Sequence, residues 1–159
     1  MSNSLSQMRS TLEQSQAGLV EMLKGADNDA VQRLHGEEEW SIAVMLSHLT
    51  EARSYFAQQV EDFLKNPAVT VGRTLDNEQR VEAIINAQRT QVTREQLEQQ
   101  LAQSYQAVRA TLEHVTDEQL ANACTHARLG AITLGEFIQK SIVEHDQAHL
   151  DQANSFLQS

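Results

Sequence analysis

The sequence predicts an all-α protein, a four-helix bundle with one long crossover between its second and third helices. Three observations predict it. Apolar residues recur at three- and four-residue steps through four long stretches. One proline and six glycines leave few helix breakers among many Gln, Glu, Ala and Leu. Finally, the connection over residues 66–92 is too long for a tight turn. Four amphipathic helices bury their stripes only against one another, and 159 residues suffice for one domain, residues 1–159, with a continuous core.

The first helix runs from about Leu5 to Lys24 with Leu5, Met8, Leu12, Leu19 and Leu23 inward, and Gly25 follows as a C′ residue. The second opens at Ser41, an N-cap after Trp40, and ends near Pro67. Its stripe is Ile42, Met45, Leu49, Phe56, Val60 and Phe63. The third starts at Thr93, where Gln96 completes a capping box, and carries Leu97, Leu101, Val108, Leu112 and Val115. The fourth starts at Thr133 with Glu136 completing a second box, and carries Leu134, Ile138, Ile142 and Phe156. Between the second and third lies a short helical patch, about Asn77 to Arg89, with Val81, Ile84 and Ile85 clustered. A crossover there leaves helices two and three parallel, and helices two and four antiparallel.

Composition removes several function classes. No apolar run approaches the ~20 residues of a membrane span. The start, MSNSLSQMRSTLEQ, lacks the apolar region of a secretory signal. The single cysteine, Cys124, forms no internal disulfide, which fits a reducing cytoplasm. A net charge of −10 repels phosphate backbones and anionic lipid, so neither nucleic acid nor a membrane is the expected partner.

The stretch EHDQAHLDQ, residues 144–152, places His145 and His149 on one helix face, in line with Ile138 and Ile142. His48 lies about seven residues into the second helix and about 17 before its end; the pair centres about 14 residues into the fourth. With those helices antiparallel, the three imidazoles stand within ~5 Å of one level at 1.5 Å per residue. Three neutral imidazoles with a fourth position open is the ligand set of a catalytic zinc site, and imidazole also suits nickel, iron and copper. Carboxylates stand close in sequence. Glu51 is one turn from His48, and Glu144 and Asp146 flank His145. Glu51 or Asp146 is placed to orient a ring or to accept a proton. Histidines on an apolar face are also common as satisfied core residues, and spacing alone does not separate the two.

Other chemistries fit less well. HDQAH imitates the zincin H-E-x-x-H, but Asp is shorter than the Glu that serves there as base. Di-iron bundles need two Glu-x-x-His motifs, which are absent from this sequence. Cys124 with His126 two residues on reads as a small loop residue rather than a nucleophile. His35 and His114 read as surface residues near helix ends.

Two blocks, EEEWSIAVMLSHLTEAR in the second helix and VTDEQLANAC…GAITLGEFIQKSIVEHDQAHLDQ near the C-terminus, carry a resemblance. The chain resembles the DinB/YfiT-like metalloenzymes, small bacterial four-helix bundles with a long crossover and a three-histidine metal site, over about residues 5–157. The resemblance implies His48, His145 and His149 as ligands of a divalent metal, zinc or nickel foremost. It also implies a low-molecular-weight thiol, because characterised relatives include bacillithiol- and mycothiol-dependent transferases and a mycothiol-dependent isomerase. Arg53, Arg109 and Arg128 are the cations available for a carboxylate-bearing thiol. The family name records a DNA-damage-inducible locus and carries no expectation of DNA binding. The expected protein is thus a cytoplasmic homodimer acting on a small-molecule substrate by thiol addition or transfer. The alternatives are a metal-dependent hydrolase, or a non-catalytic bundle acting by dimerisation or ligand binding.

Overall fold

A computed structural model describes residues 4–37 and 40–158. Glu38 and Glu39 of the EEEW block lie outside the described residues. The elements run α1 (Leu5–Lys24), α2 (Asn28–Gln32), α3 (Ile42–Lys65), β1 (Thr70–Val71), α4 (Glu78–Arg89), α5 (Arg94–Glu113), β2 (Ala123–His126), β3 (Gly130–Thr133), α6 (Leu134–Ile138) and α7 (Glu144–Gln158). The architecture is mainly helical, and the helix starts follow the capping chemistry. Ser41 accepts the Val44 N–H at 3.1 Å, and Thr93 and Gln96 form both bonds of their box. Thr133 accepts the Glu136 N–H at 3.1 Å, which is one half of the box expected there. Gly25 closes α1 in the right-handed region at φ −81°, so it does not act as a left-handed C′ residue.

Two features depart from the sequence reading. The helix expected to run unbroken from Thr133 is divided by a π turn, Gln139–Val143, between α6 and α7. A π turn holds one extra residue, which rotates the downstream helix by about one residue step, ~100°, relative to a continuous α-helix. The turn therefore sets the azimuth of His145 and His149. The second departure is a small sheet of order β1-β2-β3, with β2 antiparallel to β3 and parallel to β1. Its strands are two to four residues long, too short for a period-two signal to stand out. β2 alternates outward and inward, burying Cys124 and His126. Gly72 (φ +78°) lies so close to the His126 imidazole that a Cβ there would collide with the ring.

The core divides into two apolar clusters. One gathers Leu5, Met8 and Leu12 of α1, Val60 and Phe63 of α3, Val108 and Leu112 of α5, and Phe137 and Ile138 of α6. The other gathers Leu19 and Leu23 of α1, Met45 and Leu49 of α3, Leu97 and Leu101 of α5, and Ala153 of α7. Along α1 and along α6–α7 the chain meets the first cluster and then the second; along α3 and α5 the order is reversed. Between the clusters the long helices place buried polar residues, among them Ser15, Arg53, Ser104 and Asp146. Arg53 donates to both Asp146 oxygens (Nη2–Oδ2 2.7 Å, Nε–Oδ1 3.1 Å), to Ser104 Oγ at 3.1 Å and to the Leu101 carbonyl at 3.2 Å. No described helix is long and apolar enough to cross a membrane.

Candidate metal centre

His48 comes from the buried face of α3, and His145 and His149 come from the first two turns of α7. One ring nitrogen from each lies within 4.8 Å of the other two. The His145 and His149 Nε2 atoms are 3.1 Å apart, and both rings stand edge-on to His48 with centroids 5.4 Å away. Two nitrogens bound to one tetrahedral ion at about 2.0–2.1 Å stand about 3.3 Å apart, so the spacing of the pair suits shared ligation. His149 Nδ1 meets Gln152 Oε1 at 3.0 Å, which fixes Nδ1 as the donor and leaves Nε2 with its lone pair toward the cluster. His48 Nδ1 is buried and has no hydrogen-bond partner among the described residues. An orphaned polar atom of this kind costs about 1–3 kcal/mol unless something satisfies it.

Burial sets the charge of the site. It pushes the His48 imidazole down from 6.5 to about 3, with His149, Arg80 and Arg73 adding to the shift. It pushes His145 down to about 2, with His149 and His48 the next causes. Burial also lowers His149, against the opposing pull of the Gln152 bond and the Asp146 charge. All three rings are therefore neutral near pH 7, the form that ligates. The donor set fits a divalent metal of the zinc–nickel type.

The two carboxylates sit elsewhere. Asp146 points into the core, where Arg53 occupies its oxygens; burial raises its pKa while Arg53 opposes the shift. Glu51 is clamped by Arg73 at 2.5 and 2.9 Å and also accepts from Gln79. Neither carboxylate makes a hydrogen bond to a histidine of the cluster among the described residues, because each is already paired with an arginine. Of the arginines expected to hold an anionic thiol, Arg53 is consumed by Asp146, and Arg109 lines a separate groove beside Arg9 and Tyr105. Only Arg128 reaches the histidine cavity, where Arg73, Arg80, Lys140 and His126 join it. The sequence reading gave those four, and Gln152, no place at the cluster: the β1–β2–β3 sheet and the start of α4 bring Arg73, Arg80 and His126 there, while Lys140 comes from the π turn and Gln152 from α7 itself. His126 Nδ1 accepts the N–H groups of Arg128 (3.0 Å) and Leu129 (3.2 Å), and so shapes that wall. His35 stacks on Phe156 (centroids 4.3 Å, 3°), while exposed His114 pairs with Glu61 at 2.7 Å. Cys124 is a free, buried strand residue whose thiol burial pushes up, the opposite of an activated nucleophile.

The sequence pattern of the DinB superfamily matches residues 11–153. The chain belongs to the DinB superfamily. Solved structures of similar fold agree with that membership. The colibactin self-resistance protein ClbS, in complex with a dsDNA, superposes with a TM-score of 0.74 at 13% identity, covering 96% of this chain and 94% of ClbS. An uncharacterised protein from Escherichia coli UTI89 gives 0.75 at 11% identity, covering 98% and 93%. The mycothiol-dependent maleylpyruvate isomerase gives 0.70 at 12% identity; the match takes in 94% of this DinB chain but 60% of the isomerase. No curated protein matches the sequence. The ClbS complex overturns the exclusion of nucleic acid drawn from net charge, since a protein of this fold binds duplex DNA. Net charge sums the whole surface, whereas a phosphate meets the local field, and four cations here line one cavity.

Proposed function

We propose that this DinB protein is a metal-dependent enzyme acting on a small molecule, with thiol addition or transfer as its chemistry. The observation that carries the reading is the convergence of His48, His145 and His149, neutral and partly orphaned, from two helices onto one point. The reversed order of the core clusters along α3 and α7 supports the crossover topology, with those helices antiparallel, which such convergence requires. A divalent cation held by the three rings, zinc or nickel, would lower the pKa of a thiol that meets it, so that the thiolate exists near neutral pH. The mycothiol-dependent isomerase of similar fold favours a thiol over water as the nucleophile. Gln152 holds the His149 tautomer. Asp146 fixes α7 against α3 through Arg53, and Glu51 holds Arg73 at the cavity wall, so both carboxylates are positioning residues. Thiol chemistry and a free Cys124 suit the cytoplasm. Exposed Val81 and Ile85 on α4 favour a homodimer, which light scattering would read.

The test is elemental analysis of untagged protein, followed by a thiol-transfer assay with a generic electrophile. The expected result is about one metal per chain and transfer activity lost in His145→Ala. Metal near one per chain with no activity on any thiol would put hydrolysis or simple ligand binding ahead. A second reading, duplex DNA binding, is favoured by the ClbS complex and the basic cavity wall. A gel shift whose affinity falls steeply with salt would support it.

A further inference from the structure

The cavity that opens onto His48 and His145 has a volume of about 180 Å³, and its lining is unlike the rest of the protein. The chain carries 12 basic and 22 acidic residues, yet Arg73, Arg80, Arg128 and Lys140 line this cavity and, among the described residues, no acidic residue does. Arg73 is already neutralised by Glu51 and lies over the Tyr55 ring at 4.3 Å, so it acts as a fixed wall. The Arg80 guanidinium donates to the Leu75 carbonyl at 2.8 Å, and Arg80, Arg128 and Lys140 form no ion pair among the described residues. Leu75 and Leu129 stand beside these cations on the cavity rim, 68% and 47% exposed. Phe56 lies deeper, with its ring edge-on to His145 at 6.4 Å.

Three cations with no ion-pair partner among the described residues, in a chain of net charge −10, concentrate anions at one place. The apolar rim beside them rewards carbon next to the charge. We propose that this cavity is the subsite for a small organic anion, a carboxylate on an apolar body. Its charge meets Arg80, Arg128 and Lys140, and its carbon skeleton rests on Leu75, Leu129 and Phe56. The proposal deepens the metal-enzyme reading and rests on it for the reacting centre, while the subsite itself is built from residues outside the histidine cluster.

The probe is benzoate, with benzamide as its neutral isostere, titrated into the full chain with and without zinc. Binding is read by calorimetry and by the methyl resonances of Leu75 and Leu129, and metal content is measured on the same samples. Benzoate is expected to bind at least about tenfold more tightly than benzamide and to shift both leucines. In Arg80→Gln/Arg128→Gln that preference should fall about tenfold or more with metal content unchanged. Lys140→Gln, at an exposed position, should weaken benzoate by a smaller factor and serves if the double variant fails to fold. Equal binding of benzoate and benzamide, or a preference that survives both arginine changes, would overturn the subsite. So would arginine-dependent binding of a DNA duplex to protein that ignores benzoate. If the wild type takes up no metal yet shows the arginine-dependent preference, the subsite stands and the metal reading falls.

Discussion

Two polar clusters sit side by side between α3 and α7, and they differ in how completely they are satisfied. Arg53 and Asp146 are 2% and 0% exposed, and the guanidinium spends its donors on Asp146, Ser104 and the Leu101 carbonyl. About one turn away, the three histidines share one mutual hydrogen bond and one bond to Gln152, and a buried nitrogen of His48 has no hydrogen-bond partner among the described residues. A closed network explains itself as structure, whereas an open one under a basic cavity asks for a ligand. The difference separates a clamp from a site within a few ångströms.

Breaking the clamp should have the largest effect on folding. Asp146→Ala leaves Arg53 charged and unpaired in the core, and about 3–5 kcal/mol of stability should be lost. Arg53→Met/Asp146→Leu should recover most of it, because a well-packed apolar pair replaces buried ions with little loss. Urea denaturation measures both. An Asp146→Ala protein as stable as wild type would erase the contrast between the clusters.

Metal removal should come next. At free metal 100-fold above its dissociation constant, binding adds about 2.7 kcal/mol to the folded state. For a chain of this size a chelator should then lower the melting temperature by about 5–11 °C at pH 7.5. The metal-free protein has its own pH dependence. Folded His48 and His145 titrate near 3 and 2, against 6.5 in the unfolded chain, so the unfolded state takes up protons first as pH falls. Stability is therefore fullest above about pH 6.5 and declines from there toward pH 2. At pH 5 protons also compete for the ligands, and the chelator effect should shrink. Melting curves at the two pH values decide this; a chelator effect that is as large at pH 5 would separate the histidines from the metal.

The smallest effect should come from Glu51→Gln. Its partner Arg73 is buried but keeps its aromatic neighbours, and a glutamine at 51 still accepts a guanidinium hydrogen bond, so the loss should stay at about 1–2 kcal/mol. Metal affinity should change by less than the 10–100-fold typical of groups that orient a ligand, since Glu51 makes no hydrogen bond to a cluster histidine among the described residues. A larger loss of metal in a competition titration would return Glu51 to the metal's immediate support.

Much of this was legible in the sequence because helices announce themselves locally. Ser41, Thr93 and Thr133 cap where capping chemistry placed them, and the stripes from Leu5 to Leu23 and from Leu97 to Val115 are buried as their spacing required. The histidine cluster was legible too, through a count of residues along α3 and α7. The π turn was not, since nothing in QKSIV distinguishes an extra residue per turn from an ordinary helix. Nor was the sheet, whose strands hold too few residues for a pattern. The Arg53–Asp146 clamp and the basic wall join residues 93 and more than 45 positions apart, which local periodicity does not reach. Net charge misled for the same reason, by averaging a local feature away.

Cobalt(II) titration of the untagged, metal-free chain tests the central claim most directly, because the visible d–d bands report nitrogen ligation at low coordination number. The account predicts saturation at about one ion per chain. Bands should collapse in each of His48→Ala, His145→Ala and His149→Ala, and persist in Glu51→Gln. A folded wild-type chain that develops no such bands, or a His48→Ala variant that keeps them undiminished, would contradict it.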